Sequence, residues 1–248
     1  MTRLRLYAAL LASVAMSWVV AASAAEYRTF RPDGDGPFPA LVFVSGCSVF
    51  APSVAPNAYT SAAERFRKEG FFVIFVDYLG TRGLKQCSLT TIPHEEAARD
   101  VVAAVAELRT RPFVRADAIT VIGWSYGGGV AMAGLSSLPA DQPPPFRAIL
   151  FYPDCRGRKP WTAPAAVLAL LAGKDDVAPP DRCRDALTKS AAPERITQKT
   201  YAPALHAFDA EELPAQTRYP SGTIGYHKES ASAAWAEIDR FLKESPTK

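Results

Sequence analysis

Ser125 lies within Gly123-Trp124-Ser125-Tyr126-Gly127-Gly128-Gly129, directly after the apolar run Ala118-Ile119-Thr120-Val121-Ile122. The run reads as a buried strand and Val130-Ala131-Met132-Ala133-Gly134 as the small-residue helix that follows it, which puts the serine at the apex of a sharp turn. Bulk beside such a turn would force strand and helix apart, whereas glycine leaves the hydroxyl exposed above the sheet. A serine hydroxyl is a weak nucleophile near neutral pH. It needs a base to take its proton and an acid to orient that base.

Both partners follow in the chain. The run Ala165-Ala166-Val167-Leu168-Ala169-Leu170-Leu171-Ala172 reads as another buried strand and ends in Gly173-Lys174-Asp175-Asp176-Val177-Ala178-Pro179. Acids just past the carboxyl end of a central strand sit where ligand-facing groups collect in an open parallel sheet. One of the two carboxylates is expected to orient the base and the other to serve the turn. The strand-like Ile196-Thr197-Gln198-Lys199-Thr200-Tyr201 leads to a loop carrying His206, the expected general base. The chain has only 3 histidines, so elimination is informative. His94 precedes the serine, beside Pro93, Glu95 and Glu96, and reads as a surface residue at a helix start; His227 opens the last helix.

The segment from about Tyr27 to Phe241 resembles the dienelactone hydrolase family of α/β-hydrolases. The resemblance rests on Gly123-Trp124-Ser125-Tyr126-Gly127-Gly128, on Gly173-Lys174-Asp175 with Pro179 four residues beyond the acid, and on Tyr201 followed by His206-Ala207-Phe208-Asp209. It implies an α/β-hydrolase fold, a doubly wound and mostly parallel sheet with helices on both faces and no separate lid domain. It also implies a Ser125, His206, Asp175 triad, because the Asp-x-x-x-Pro spacing selects Asp175 over Asp176. Two departures matter. Enzymes with the founding activity of the family carry cysteine where this chain has Ser125, so the serine points toward a general esterase. The family's His-Gly after the first central strand is Ser45-Gly46 here.

That strand, Ala40-Leu41-Val42-Phe43-Val44, delivers Ser45-Gly46-Cys47-Ser48 to the site edge. An oxyanion hole needs two backbone N–H groups aimed at the developing charge. Tyr126, after the nucleophile, is expected to supply one. The resemblance assigns the other to Cys47, with Ser48 the second choice. Tyr78, Trp124 and Arg82 are the candidate substrate contacts, Trp124 being equally suited to packing beneath the turn; the resemblance lets Arg82 receive a substrate carboxylate.

Met1 to Arg5 form a short basic region, followed by an apolar stretch from Leu6 to about Ala22 and the small residues Ala22-Ser23-Ala24-Ala25. This predicts a signal peptide over residues 1–25, leaving one α/β domain over 26–248 and a periplasmic or secreted protein. Removing Arg3 and Arg5 takes the basic residues from 28 to 26 against 25 acidic, a charge of +1. So balanced a chain offers no electrostatic argument for a nucleic-acid or membrane partner. The expected partner is a small ester or lactone, with no cofactor and no metal; the spacing contains no CxxC and no close Cys/His cluster. An even count of 4 cysteines in an exported chain suggests disulfides, and Cys47–Cys87 with Cys155–Cys183 joins loops expected at one end of the sheet.

Apolar runs at 71–76 and 147–152 with little polar alternation, separated by helical segments at about 58–68, 95–109 and 182–190, fit parallel strands covered on both faces. The proline-rich stretch 139–145 reads as a surface loop. Cleavage of small carboxylic esters or lactones through an acyl-enzyme is the leading expectation. A short-peptide serine peptidase resembling prolyl oligopeptidase catalytic domains, and a noncatalytic exported binding protein on the same fold, remain open.

Overall fold

The continuous apolar runs of the sequence become adjacent strands because each has two faces to bury. In the computed structural model, residues 27–47, 55–85, 87, 91–138, 147–157 and 160–244 are described. The predicted signal peptide, Ser48 and the proline-rich stretch lie outside them. Strands β1 (Arg28–Phe30), β2 (Phe38–Val44), β3 (Phe72–Val76), β4 (Val114–Trp124), β5 (Arg147–Phe151), β6 (Ala166–Ala172) and β7 (Ile196–Tyr201) form a 7-stranded sheet in the order β1-β3-β2-β4-β5-β6-β7. Only β1 runs antiparallel to its neighbour.

Alternate side chains of each strand enter different cores. Val42, Ile74, Val121, Leu150 and Ala169 face one side, where helices α2 (His94–Thr110), α3 (Tyr126–Ser136) and α4 (Pro180–Thr188) pack. Leu41, Phe43, Ile122, Phe151 and Leu170 face the other, covered by α1 (Ala58–Lys68) and α5 (Lys228–Lys243). Each fully buried Val, Leu, Ile or Phe side chain among them contributes about 1.5–3 kcal/mol. The lack of polar alternation in these strands therefore reflects burial on both faces.

The register lines up the carboxyl ends of the central strands. Val44 pairs with Gly123, Trp124 with Phe151, Phe151 with Leu170, and Ala172 with Tyr201. Loops leaving β2, β4, β5, β6 and β7 consequently converge on one edge, the usual ligand edge of such sheets. The antiparallel pair β8 (Thr217–Tyr219) and β9 (Gly222–Ile224) stands beside that edge. No separate lid is present among the described residues.

Candidate active site

Ser125 occupies the turn between β4 and α3 with φ +52° and ψ −122°, a backbone conformation that side-chain-bearing residues rarely adopt. Its surroundings hold it there. The Ser125 N–H donates to the Phe151 carbonyl at 2.9 Å, and its own carbonyl accepts from Asp154 and Gly128 at 2.8 and 2.9 Å. Strand and helix come so close that a Cβ on Gly123 would lie 2.6 Å from the Gly127 carbonyl oxygen, and one on Gly127 would run into the carbonyls of Val44 and Ser45. These two glycines are needed for that approach.

His206 and Asp175 meet the serine from separate loops. His206 Nε2 lies 2.8 Å from Ser125 Oγ, and Nδ1 lies 2.7 Å from Asp175 Oδ2. Asp175 and His206 are both 6% exposed, whereas Ser125 is more open. The other Asp175 oxygen accepts from the backbone N–H groups of Val177 and Ala178 at 2.9 and 2.7 Å, which fixes the carboxylate before the imidazole contacts it. Asp176 points elsewhere. Its Oδ1 accepts from the Thr223 N–H at 2.7 Å and so ties the acid loop to the β8–β9 hairpin.

Cys47 and Ser125 line two cavities that meet at the serine. The smaller, about 130 Å³, is walled by Tyr59, Trp124, Tyr152, Leu213 and Ile224, with Asp209 among these mostly apolar groups. The larger, about 550 Å³, is more polar and carries Tyr126, Asp154, Arg156, Asp176 and Arg182. The Tyr126 ring packs against Tyr78 and His94 and its hydroxyl donates to the Ile92 carbonyl, which leaves its backbone at the N-terminus of α3 beside the serine. Disulfides join Cys47 to Cys87 and Cys155 to Cys183. The first anchors the loop after β2; the second links the segment after β5 to α4.

Three expectations need correction. Tyr78 is 1% exposed and lines neither cavity; its hydroxyl donates to the carbonyls of Gly46 and Ser45 at 2.6 and 3.0 Å, supporting the loop after β2 from beneath. A buried phenol must find an acceptor, and those carbonyls provide it. Arg82 also lies outside both cavity walls. Its guanidinium is engaged by Asp100 at 2.5 Å and Glu96 at 3.1 Å, because these acids lie one turn apart on the same face of α2. His94 is buried, not at the surface: it is 1% exposed, packs against the Tyr126 ring with centroids 4.3 Å apart, and has Asp154 Oδ2 3.9 Å from its Nε2. The adjacent acids suggested a solvated helix start, and Glu95 and Glu96 are exposed there, but His94 lies on the face of α2 that turns to the core.

Trp124 packs beneath the turn: it is 1% exposed, stacks on Phe151 with centroids 5.4 Å apart, and also lines the smaller cavity. His227 accepts from the Ser230 N–H at 3.2 Å and caps α5. Sequence reasoning missed Tyr59, Tyr152 and the residues of β8–β9 that wall the cavity. Only the Pro220-Ser221-Gly222 turn signal and the position of Asp209 three residues after His206 were there to be read.

Comparison with known proteins agrees with this architecture. The family model for the dienelactone hydrolase family matches residues 53–245. No curated protein sequence matches the chain. Among solved structures, a dienelactone hydrolase-like promiscuous phosphotriesterase from metagenomic libraries superposes with a TM-score of 0.65 at 15% identity, covering 84% of this chain and 87% of that one. A thermophilic esterase from the Planctomycetes species Thermogutta terrifontis, with propionate bound, superposes with a TM-score of 0.62 at 16% identity, over 87% of this chain and 88% of that one. The same organism's esterase 2 phosphoramylated by tabun gives 0.63 at 16% identity, over 87% and 88%. These likenesses show the α/β-hydrolase fold. With the family model spanning well over half of its length, the chain belongs to the dienelactone hydrolase family.

Proposed function

We propose that the protein is an exported serine hydrolase that cleaves small carboxylic esters or lactones through an acyl-enzyme. The observation that carries this reading is the single imidazole bridging Ser125 Oγ at 2.8 Å and a buried Asp175 oxygen at 2.7 Å. In this mechanism His206 Nε2 takes the Ser125 proton as Oγ attacks the carbonyl carbon, while Asp175 orients the ring and stabilises its charged form. Backbone N–H groups of Tyr126 and Cys47 hold the resulting oxyanion, aided by the positive end of α3. Collapse of the tetrahedral intermediate expels the alcohol, which receives the proton from His206. A water molecule then gives a proton to His206 as its oxygen attacks the acyl carbon, and His206 returns that proton to Ser125 Oγ as the acyl–Oγ bond breaks and the acid leaves.

The cavities limit the substrate. An apolar cavity of about 150 Å³ can hold a benzene molecule, so the space of about 130 Å³ beside Ser125 suits a short aliphatic chain or one small ring. Among p-nitrophenyl esters, acetate to butyrate should exceed octanoate by about tenfold in kcat/KM, since the longer chain does not fit the smaller cavity without displacing its walls and the larger cavity beside it is more polar. A panel adding lactones and short peptides tests the class of reaction. Peptide cleavage without ester cleavage would favour the peptidase reading, and failure of the purified protein to react with a fluorophosphonate serine probe would favour a binding protein.

Export is supported by the leader-like residues 1–25 and by two disulfides, which persist in oxidising compartments. The Cys47–Cys87 bridge spans 40 residues, and closing that loop is worth about 4 kcal/mol in the chain-entropy account. It also holds the loop whose Cys47 N–H serves the oxyanion. The Cys155–Cys183 bridge, spanning 28 residues, braces the neighbouring edge without touching the reacting atoms. Cys47→Ala should therefore lower kcat more than Cys183→Ala at temperatures where both variants are folded. Equal losses would show that the Cys47–Cys87 bridge does not position the Cys47 N–H.

A further inference from the structure

Asp209 is a carboxylate in a mostly apolar cavity wall, three residues beyond His206 on the same loop. One oxygen accepts from the Tyr152 hydroxyl at 2.6 Å and the other from Trp124 Nε1 at 2.9 Å. Trp124 directly precedes Ser125, and Tyr152 directly follows β5, whose Phe151 carbonyl accepts from the Ser125 N–H. One side chain on the histidine loop is thus bonded both to the serine turn and to the neighbouring strand end. The backbone takes positive φ on both of these segments, +61° at Ala207 of the histidine loop and +34° at Tyr152. The Tyr152 ring also packs on the imidazole, with centroids 4.6 Å apart.

A neutral residue could make such a tie at lower cost, since holding even a partly buried carboxylate in apolar surroundings without a cation is expensive. Burial accordingly pushes the Asp209 carboxyl above its ordinary range, against the opposing influence of the Tyr152 and Trp124 donors and of His206. The ionisable groups facing it are Tyr59 from α1, Tyr152 after β5 and His206 on its own loop, while Asp175 after β6 faces Tyr152. Tyr219 of β8 stands behind Tyr59. Of these, only His206 can become positive.

We infer that Asp209 is a positioning residue for His206 and supplies a second negative charge that stabilises the imidazolium formed when Ser125 gives up its proton. This rests on the hydrolase reading above. The charge acts through space, and the bonds to Tyr152 and Trp124 keep the loop, and with it Nε2, in line with Oγ. Asp175 does the direct hydrogen bonding; Asp209 sets the field and the loop position.

The test uses the purified mature chain and p-nitrophenyl acetate across the pH range. In Asp209→Asn the amide can still accept from Tyr152, but the charge is gone and its NH₂ opposes the Trp124 N–H. We expect kcat to fall by about 10- to 100-fold with KM changed less than about threefold, as for loss of a charge that acts in the transition state. The acid limb of kcat/KM should move to lower pH by about half a unit or more, because protonated His206 loses a neighbouring anion. Tyr152→Phe retains the carboxylate but drops one bond, so kcat should fall while the acid limb stays in place. An unmoved acid limb in folded Asp209→Asn would overturn the inference, leaving Asp209 a structural tie. Should that variant not fold, wild-type kcat in Tyr152→Phe would overturn it as well. Labelling of wild-type Ser125 by a fluorophosphonate probe separates these results from failure of the hydrolase reading itself: an unlabelled, inactive wild type sinks both.

Discussion

Ser125→Ala is expected to abolish ester hydrolysis while leaving the fold intact. Removal of such a nucleophile costs about 10⁶ in kcat, since the residual rate comes only from binding and the oxyanion donors. The turn should survive because its geometry does not depend on the hydroxyl. Positive φ at position 125 is held by backbone bonds to Phe151, Asp154 and Gly128, and by the close packing around Gly123 and Gly127. Alanine meets the same conformational strain as serine. The measurement pairs initial rates on p-nitrophenyl butyrate with thermal melting; a variant that melts like wild type yet keeps more than a small fraction of its rate would remove Ser125 as nucleophile.

The second large effect separates two adjacent acids. Asp175→Asn should lower kcat by about 10⁴, the scale seen when a triad acid becomes an amide and the histidine adopts the wrong tautomer. Asp175 has one oxygen on His206 Nδ1 and the other on two backbone N–H groups. An asparagine facing the same partners must either turn its NH₂ toward the backbone donors or offer it to the imidazole, which then loses the proton it should hold at Nδ1. Asp176→Asn should cost far less in rate and should act on stability, because Asp176 bonds Thr223 and anchors the β8–β9 hairpin. Steady-state kinetics and melting on both variants decide the matter. The opposite ranking in kcat would transfer the triad role to the neighbouring residue.

Local chemistry made much of this molecule legible before its fold. The apolar runs around Val42, Ile74, Val121, Ile149 and Leu168 had no polar alternation because both faces of their strands are buried, so a parallel sheet between two helical layers could be read directly. The serine turn was legible for a related reason: only glycine permits the approach of β4 to α3, and that requirement leaves its mark in sequence as Gly123 and Gly127. Chain order and the scarcity of histidine led to His206.

Side-chain direction was decided elsewhere. Arg82 was open to a substrate until α2 brought Glu96 and Asp100 against it, and Tyr78 turned inward because its hydroxyl met the carbonyls of Ser45 and Gly46. His94 followed its helix into the core, although its acidic neighbours suggested water. The short strands β8 and β9, too brief to carry a periodic signal, wall the cavity because contacts distant in sequence hold them there: Asp176 accepts from the Thr223 N–H across 47 residues, and the His206 carbonyl accepts from the Gly225 N–H. Sequence by itself determined the strands, the serine turn and the histidine available to it, since backbone geometry and burial restrict residue type locally. Tertiary structure alone decided which polar side chains face the substrate cavity, because a polar group is directed by whichever donor, acceptor or charge the fold places within its reach.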